Sequence, residues 1–402
     1  MLNTFSVLTP HLKFKNKFVS ISNLAFKFHY RATFAILLVC TLLVTSRQYV
    51  GEHIRCITGG SIPEHVINTF CFFTTTFTVI KHFNETMLKD SSIPHPGVGH
   101  MMNEDPIKYH AYYQWVPFVL FLQALMFYAP YYIWKILEGS KIKNLVDGMR
   151  MVELSHYYND NNSVTFDTKY TLRSKSEIEN KIIKVQNAFK RHLIINNLWA
   201  VKLVFCEVLN MINVLIHVKF TNIFLGGRFY QLGLDFINED FTGQMDVLDT
   251  IFPKVTKCHF HKYGPSGTIQ KHDALCVMAL NVINEKIFTF LWFWYLILIV
   301  VSIGALMWRI QTYLLHKRST RFNELLFSFA CSGILSQRDI EVITVNFKFS
   351  DWLFLYYLAK NMDAHLFKSL FRGVMTPINS EENTMTSKLI EEPHHSQYTE
   401  EN

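Results

Sequence analysis

The sequence predicts an all-α membrane protein: a four-transmembrane-helix bundle with a small disulfide-linked extracellular domain and a helical cytoplasmic domain. Three observations predict it. Half of the 402 residues are apolar and only 18% are charged, an unusual balance for a soluble chain of this length. Four long stretches are nearly free of charge, and four of the seven cysteines fall, two and two, in the polar segments between them.

Residues 1–31 form a mixed N-terminal segment with Lys13, Lys15, Lys17 and Lys27. The apolar run that follows has no small-residue cleavage site, because Ser46 leads directly into Arg47-Gln48-Tyr49. It therefore reads as an uncleaved first span, 32–50, and not as a secretory leader. Its charge-free core is short for a bilayer. Arg47 must either snorkel outward as an end-cap or face water, since an Arg against lipid is costly.

Residues 51–108 are a polar loop containing Cys56 and Cys71. Within it Val66–Ile80 is uncharged, but it is short and rich in Thr, Phe and Val. That composition suits a strand or packed loop better than a span. Asn84-Glu85-Thr86 is an N-glycosylation sequon,.

The second span, 109–134, runs from Tyr109 to Trp134 without Asp, Glu, Lys or Arg. As a helix it would extend about 39 Å, beyond the ~30 Å hydrocarbon core. Lys108 and Lys135 bracket it, with Tyr and Trp near both ends, as interfacial anchoring requires. Pro117 and Pro130 are tolerable bends in a membrane helix. Residues 135–192 follow as a basic loop with a helical stretch over 176–191, where Ile178, Ile182, Ile183, Val185 and Ala188 include helically spaced apolar neighbours,.

The third span, 193–218, contains Lys202 and Glu207, followed by Asn210, Asn213 and His217. Intramembrane polar groups face other helices or water, so they form either an interhelical network or the lining of an ion path. The five-residue spacing of Lys202 and Glu207 does not favour a pair within one helix. Residues 219–286 form a second polar loop with Cys258 and Cys276. The fourth span, 287–308, is uncharged, opens on an aromatic cluster at 291–295 and is closed by Arg309. In the region 309–402, Ser350 is placed to cap a helix running through Asp351 and Trp352 toward Phe371, with Gly373 as its stop. From about 376 the chain is polar and acidic, a composition of disorder.

Lys and Arg are denser in 1–31, 135–192 and 309–402 than in the two cysteine-bearing loops. The positive-inside rule then places both termini in the cytoplasm. Two cysteines in each outer loop imply disulfides, and four cysteines allow three pairings. A zinc site using Cys258, His259 and His261 is the rival, although the spacing fits no common zinc module. The net charge of +7 is scattered among apolar blocks. It reads as topology signal and lipid-headgroup contact, not as a nucleic-acid surface. No Gly-rich phosphate loop or metalloprotease helix is visible, so neither an enzyme nor a cofactor is expected.

Several motifs together carry a family resemblance. Tyr112-Tyr113-Gln114-Trp115-Val116-Pro117-Phe118 resembles the signature of the innexins, the gap-junction proteins of invertebrates. Phe28-His29-Tyr30 and 43–49 are similar to the two ends of the innexin first span, and 62–71 and Pro96-Gly97-Val98-Gly99 to its first loop. Cys206-Glu207-Val208-Leu209-Asn210, 252–258, 261–267, Asn284-Glu285-Lys286-Ile287 and 351–356 resemble the third span, the second loop and its exit, and the tail helix.

The resemblance implies four membrane helices, cytoplasmic termini, and disulfides Cys56–Cys276 and Cys71–Cys258 joining the extracellular loops. It implies a plasma-membrane ring of eight copies that docks with an opposing ring on the neighbouring cell and passes ions and small metabolites. The N-terminal segment would enter the pore mouth, with Arg47, Gln48 and Arg55 as pore-lining candidates. Other innexins and membrane lipids are the further expected partners. An undocked hemichannel, or a subunit that works only in heteromeric channels, is the alternative. Two departures stand out: Arg55 replaces one of the acidic residues that often precede the first loop cysteine, leaving Glu52, and the Asn84 sequon lies on a loop expected to dock.

Overall fold

The computed structural model describes residues 21–50, 54–59, 62–102, 104–146, 180, 182–187, 198–238, 247–331 and 335–373. In chain order the elements are α1 (Leu24–Val50), β1 (Arg55–Thr58), α2 (Glu64–Thr74), β2 (Thr76–Val79), α3 (Glu85–Lys89), β3 (Ile107–His110), α4 (Val116–Glu138) and α5 (Lys141–Val146). They continue with α6 (Trp199–Phe224), α7 (Phe229–Asn238), β4 (Val255–Tyr263), β5 (Ile269–Val277), α8 (Ala279–Leu315), α9 (Thr320–Cys331), α10 (Gln337–Asn346) and α11 (Phe349–Asn361). Among the described residues, α1, α4, α6 and α8 are the four helices long and apolar enough to cross a membrane.

The helices differ from the expected spans mainly at their ends. α1 starts at Leu24 and includes a π-helical stretch, Phe28–Thr33. The helix of the second expected span begins at Val116, because Ile107–His110 is a strand and Tyr112–Gln114 a 3₁₀ turn. Pro117 then occupies the first turn of α4, where a missing N–H costs nothing. α6 runs to Phe224, past the expected end at 218. α8 has 37 residues, about 56 Å. The charge-free 287–308 is only its apolar middle. The helix itself continues into polar residues at both ends.

The chain forms two compact units. The first comprises 24–133 and 206–306. Its membrane helices are tied by polar contacts as well as apolar packing. His29 Nε2 is 2.8 Å from Ser302 Oγ, joining α1 to α8, and Trp294 Nε1 donates to Thr33 Oγ1 at 2.9 Å. Gln123 of α4 donates to Thr221 Oγ1 of α6 at 2.8 Å and accepts from the Tyr295 hydroxyl of α8 at 3.3 Å. Asn213 of α6 donates to the Met126 carbonyl at 3.1 Å. Buried polar groups satisfied in this way fix which helix faces meet. The same unit holds a five-stranded antiparallel sheet, ordered β1-β5-β4-β2-β3. Thus the mostly helical architecture carries a sheet in its disulfide-bonded domain.

Residues 66–80, expected as strand or packed loop, divide between two structures. Glu64–Thr74 is helix α2 and Thr76–Val79 is strand β2, separated by Thr75 at φ 95°. Pro63 precedes α2, and Glu64 complements the positive helix N-terminus,.

The second unit comprises 1–23, 134–205 and 307–402. Among its described residues, helix α11 is buried on nearly every face. Trp199 packs edge-on against Trp134 and Phe354, with centroids 5.6 and 5.3 Å apart. Asn323 of α9 is a hub: it donates to the His316 carbonyl at 2.7 Å and to Thr344 Oγ1 at 2.9 Å, and accepts from Trp352 Nε1 at 3.1 Å. Ser350 does not cap α11. Lys348 is the N-cap, and Ser350 lies inside the helix, accepting from the Ala200 amide at 3.4 Å. Nor does one helix run to Phe371. It ends at Asn361, and Asp363 starts a second helix over 364–373 by accepting from the His365 amide at 2.9 Å. Most of 147–197, the N-terminal 1–20 and everything after 373 lie outside the described residues, so the expectations for the basic loop, the pore-mouth segment and the acidic tail lie there too.

Candidate functional site

The sheet gathers chain from both cysteine-bearing loops. The β4–β5 hairpin of the second loop sits between β1 on one side and β2–β3 on the other, all three from the first loop. Neither loop makes this sheet alone. Cys56 and Cys276 face each other in the β1–β5 register and are bonded, and Cys71 of α2 is bonded to Cys258 of β4. The sulfurs of Cys56, Cys71 and Cys276 all lie within 4.8 Å of one another, so the two bonds form one buried knot. Around it the Cys56 amide donates to Asn68 Oδ1 at 2.7 Å, and Phe70 meets Phe260 edge-on with centroids 4.9 Å apart. Helix α2 is thereby held on the sheet by covalent, polar and aromatic contacts. Cys258 is not available to a metal, and His259 Nδ1 lies 2.6 Å from Asp273 Oδ1, which removes the zinc reading.

Tyr112 to Trp115 of the signature lie just before α4, and two of them act on this knot. The Tyr113 hydroxyl and Gln114 Nε2 both donate to the carbonyl of Phe72, at 3.2 and 2.6 Å. That carbonyl belongs to the unsatisfied C-terminal turn of α2, one residue after Cys71. Tyr112 is packed edge-on against Phe252 and Phe224. Trp115 is exposed beside Phe118 at the start of α4. Two side chains of the heptad thus cap one helix from the mouth of another.

Two further motifs meet at the exit of the sheet. Lys254 Nζ is 3.0 Å from Asp249 Oδ1 and 3.4 Å from Glu285 Oε2, and Lys286 also pairs with Glu285. Asn281 donates to the Pro253 carbonyl at 2.9 Å. Glu285 is fully buried, and its charge is tolerated there because two ammonium groups face it. The start of α8 is thereby fastened to the strand that enters the sheet.

The Pro96–Gly99 motif closes the first loop. Gly97 has φ +75°, and a Cβ there would lie 2.7 Å from Phe83 Cζ. A Cβ on Gly99 would lie 2.8 Å from the His82 ring. The loop hydrogen-bonds to β2 through the Val79 amide and Gly97 carbonyl at 2.9 Å. Lys81 pairs with Asp105. That Lys81 hydrogen bond, with the Met102 amide, holds the Asp105 carboxyl below its usual range. In β3, burial pushes His110 down to about 4. Its Nε2 is 2.9 Å from the hydroxyl of Thr78, the diagonal neighbour on β2.

The remaining candidates separate. Arg47 at the end of α1 and Arg55 on β1 are exposed, whereas Gln48 is buried within the chain. Gln48 therefore does not share an outward face with Arg47. Glu207, Asn210, Asn213 and His217 line the buried side of α6, and the Asn213–Met126 and His217–Phe127 contacts favour the interhelical network over a path lining. Lys202 is half-buried and lies roughly 140° around the helix from Glu207,. Asn84 is exposed at the N-terminus of α3. Residues 51–53, including Glu52, lie outside the described residues.

A family model described as Innexin matches residues 22–378. The chain is 48% identical over 371 residues to Innexin inx7 of Drosophila melanogaster, covering 92% of this chain and 84% of that protein. It is 37% identical over 356 residues to Innexin inx3 of the same organism, covering 88% and 83%. To Innexin inx2 of Drosophila melanogaster it is 38% identical over 370 residues, covering 91% and 94%.

Proposed function

The chain belongs to the innexin family, and on that premise we propose that it is a subunit of a gap-junction channel. Eight copies surround an aqueous pore in the plasma membrane, with both termini cytoplasmic. The disulfide-bonded sheet faces the neighbouring cell and docks with its counterpart there. Ions and small metabolites pass through the joined pores.

The observation that carries the reading is the shared sheet. Strands from two loops more than a hundred residues apart in sequence interleave, and two disulfides lock them. A surface built this way is rigid before it meets a partner, so little ordering entropy opposes docking. The width and charge of a pore set what it passes. Among the described residues, Arg47 and Arg55 are the exposed charges nearest the junction of α1 with the sheet in sequence. Lining the entrance, they weaken the preference for cations that an acidic rim would give.

Paired cells expressing the chain test this reading through junctional conductance. Conductance between pairs, with none between a pair in which only one cell expresses any innexin, is the expected result. Single-cell currents without junctional conductance select the undocked channel. Silent pairs that conduct only when a second innexin is co-expressed select the heteromeric subunit. Silence throughout, with the chain present at the cell surface, overturns the proposal. A view of the purified particle down its axis counts the subunits.

A further inference from the structure

We propose that Asn84 is an N-glycosylation site, so that this subunit carries an oligosaccharide on its disulfide-bonded domain. Asn84 begins an Asn-Glu-Thr triplet, with no proline in or directly after it. It is exposed and N-caps α3. Its Oδ1 accepts from the Thr86 amide at 3.0 Å and from Thr86 Oγ1 at 2.8 Å. Both bonds use the oxygen. Nδ2, the atom that would bear the sugar, donates to no acceptor among the described residues. A glycan on Nδ2 leaves the cap intact, and the surrounding Thr86, Asp90, Ser91 and Ser92 are exposed and polar.

In the transfer, Nδ2 attacks C1 of the first N-acetylglucosamine of a lipid-diphosphate-linked oligosaccharide. The N–C1 bond forms, the bond from C1 to the diphosphate oxygen breaks, and the lipid diphosphate leaves. One Nδ2 proton passes to a base of the transferase. The product is an amide, so charge and hydrogen bonding at Oδ1 are unchanged. A sugar of this bulk keeps the α3 surface in solvent and excludes it from contacts between subunits or between rings.

The inference rests on the reading that residues 51–108 lie outside the cell, and the chain holds its own control. A second triplet, Asn161-Asn162-Ser163, lies in the stretch assigned to the cytoplasm. The transferase works on one side of the membrane, so only one of the two is modified. The full chain is expressed in mammalian cells, digested with peptide N-glycosidase F and compared by gel mobility.

One downward step is expected. Asn84→Gln and Thr86→Ala abolish it, Thr86→Ser and Asn161→Gln keep it, and surface biotinylation confirms that the variants reach the membrane. A further variant, Ser266→Asn, completes a triplet with Gly267 and Thr268 in the exposed β4–β5 turn and adds a second step. Absence of the step in the parent chain, when Ser266→Asn acquires one, overturns the Asn84 site while leaving the sidedness intact. A step lost only in Asn161→Gln, or no step even in Ser266→Asn, overturns the sidedness and the site together.

Discussion

At Gly97 the backbone takes a left-handed turn while the Phe83 ring closes over the position where a side chain would begin. Both conditions exclude other residues, the first through strain and the second through overlap. Gly97→Ala is therefore expected to cost about 1–3 kcal/mol, seen as a lower melting midpoint of the detergent-solubilised protein. Gly59→Ala, where an added Cβ meets nothing within 4 Å, stays within about 0.5 kcal/mol of the parent chain. Lys254 presents the opposite problem, since what matters there is what it leaves behind. Lys254→Met removes the charge facing both Asp249 and Glu285. Two buried carboxylates then lose an ammonium partner, at an expected cost of about 3–5 kcal/mol. Adding Glu285→Gln recovers part of the melting midpoint, and a merely additive loss in that double variant would refute the pairing. Sequence reading picks out both positions only as members of motifs. The reasons for them lie in contacts to residues far along the chain, which spacing does not reveal.

Elements were legible where one physical signal dominates. Long runs nearly free of charge mark the four spans because burying charge in lipid is costly over the whole length. Their ends were less legible, because a helix runs on past its apolar stretch into polar residues, as α8 does, or starts late where Tyr and Trp suit an interface in any conformation, as at 109–115. Strands of four residues, such as β1, β2 and β3, are too short for alternation to stand out. β1 gains its partner β5 and β2 its neighbour β4 from the other loop, and β3 adds onto β2 at the edge.

Two of these elements should respond to acid in opposite directions. His110 in β3 is held at about 4, below its usual 6.5, by burial. Its contribution to stability is present above pH 6.5 and is lost as pH falls toward 4. Asp351 in α11 is raised to about 6 from 3.8, also by burial, partly offset by Lys348. Its contribution is present below pH 3.8 and is lost as pH rises through 6. Each amounts to at most about 3 kcal/mol. Hydrogen exchange on the full chain between pH 7 and pH 4, corrected for intrinsic rates, should show β2–β3 amides losing protection while α11 amides gain it. Asp351→Asn abolishes the α11 change and leaves the β2–β3 change in place.

Across the whole molecule, the sheet makes the order of the chain matter. The four ends α1, α4, α6 and α8 all lead into or out of the domain that holds β1 to β5. A change in the number of spans between 58 and 255 that left an odd count would put the strands on opposite sides of the lipid. The disulfides reinforce this arrangement by closing chain separations of 220 and 187 residues. Removing a native bond of this kind typically costs about 2–5 kcal/mol. The four cysteines are at most 2% exposed, so a reductant in the bath reaches them only when the domain opens. The two ways of losing a bond should then differ. Cys71→Ser and Cys56→Ser prevent the knot from forming during folding, and paired cells expressing them should lose junctional conductance. A membrane-impermeant reductant applied to pairs already joined should leave conductance unchanged over the time in which exposed disulfides are reduced. Conductance that falls as fast as an exposed control disulfide is cleaved would mean that the knot is open to solvent in the assembled ring. The sheet would then lack the rigidity that docking at little entropic cost requires.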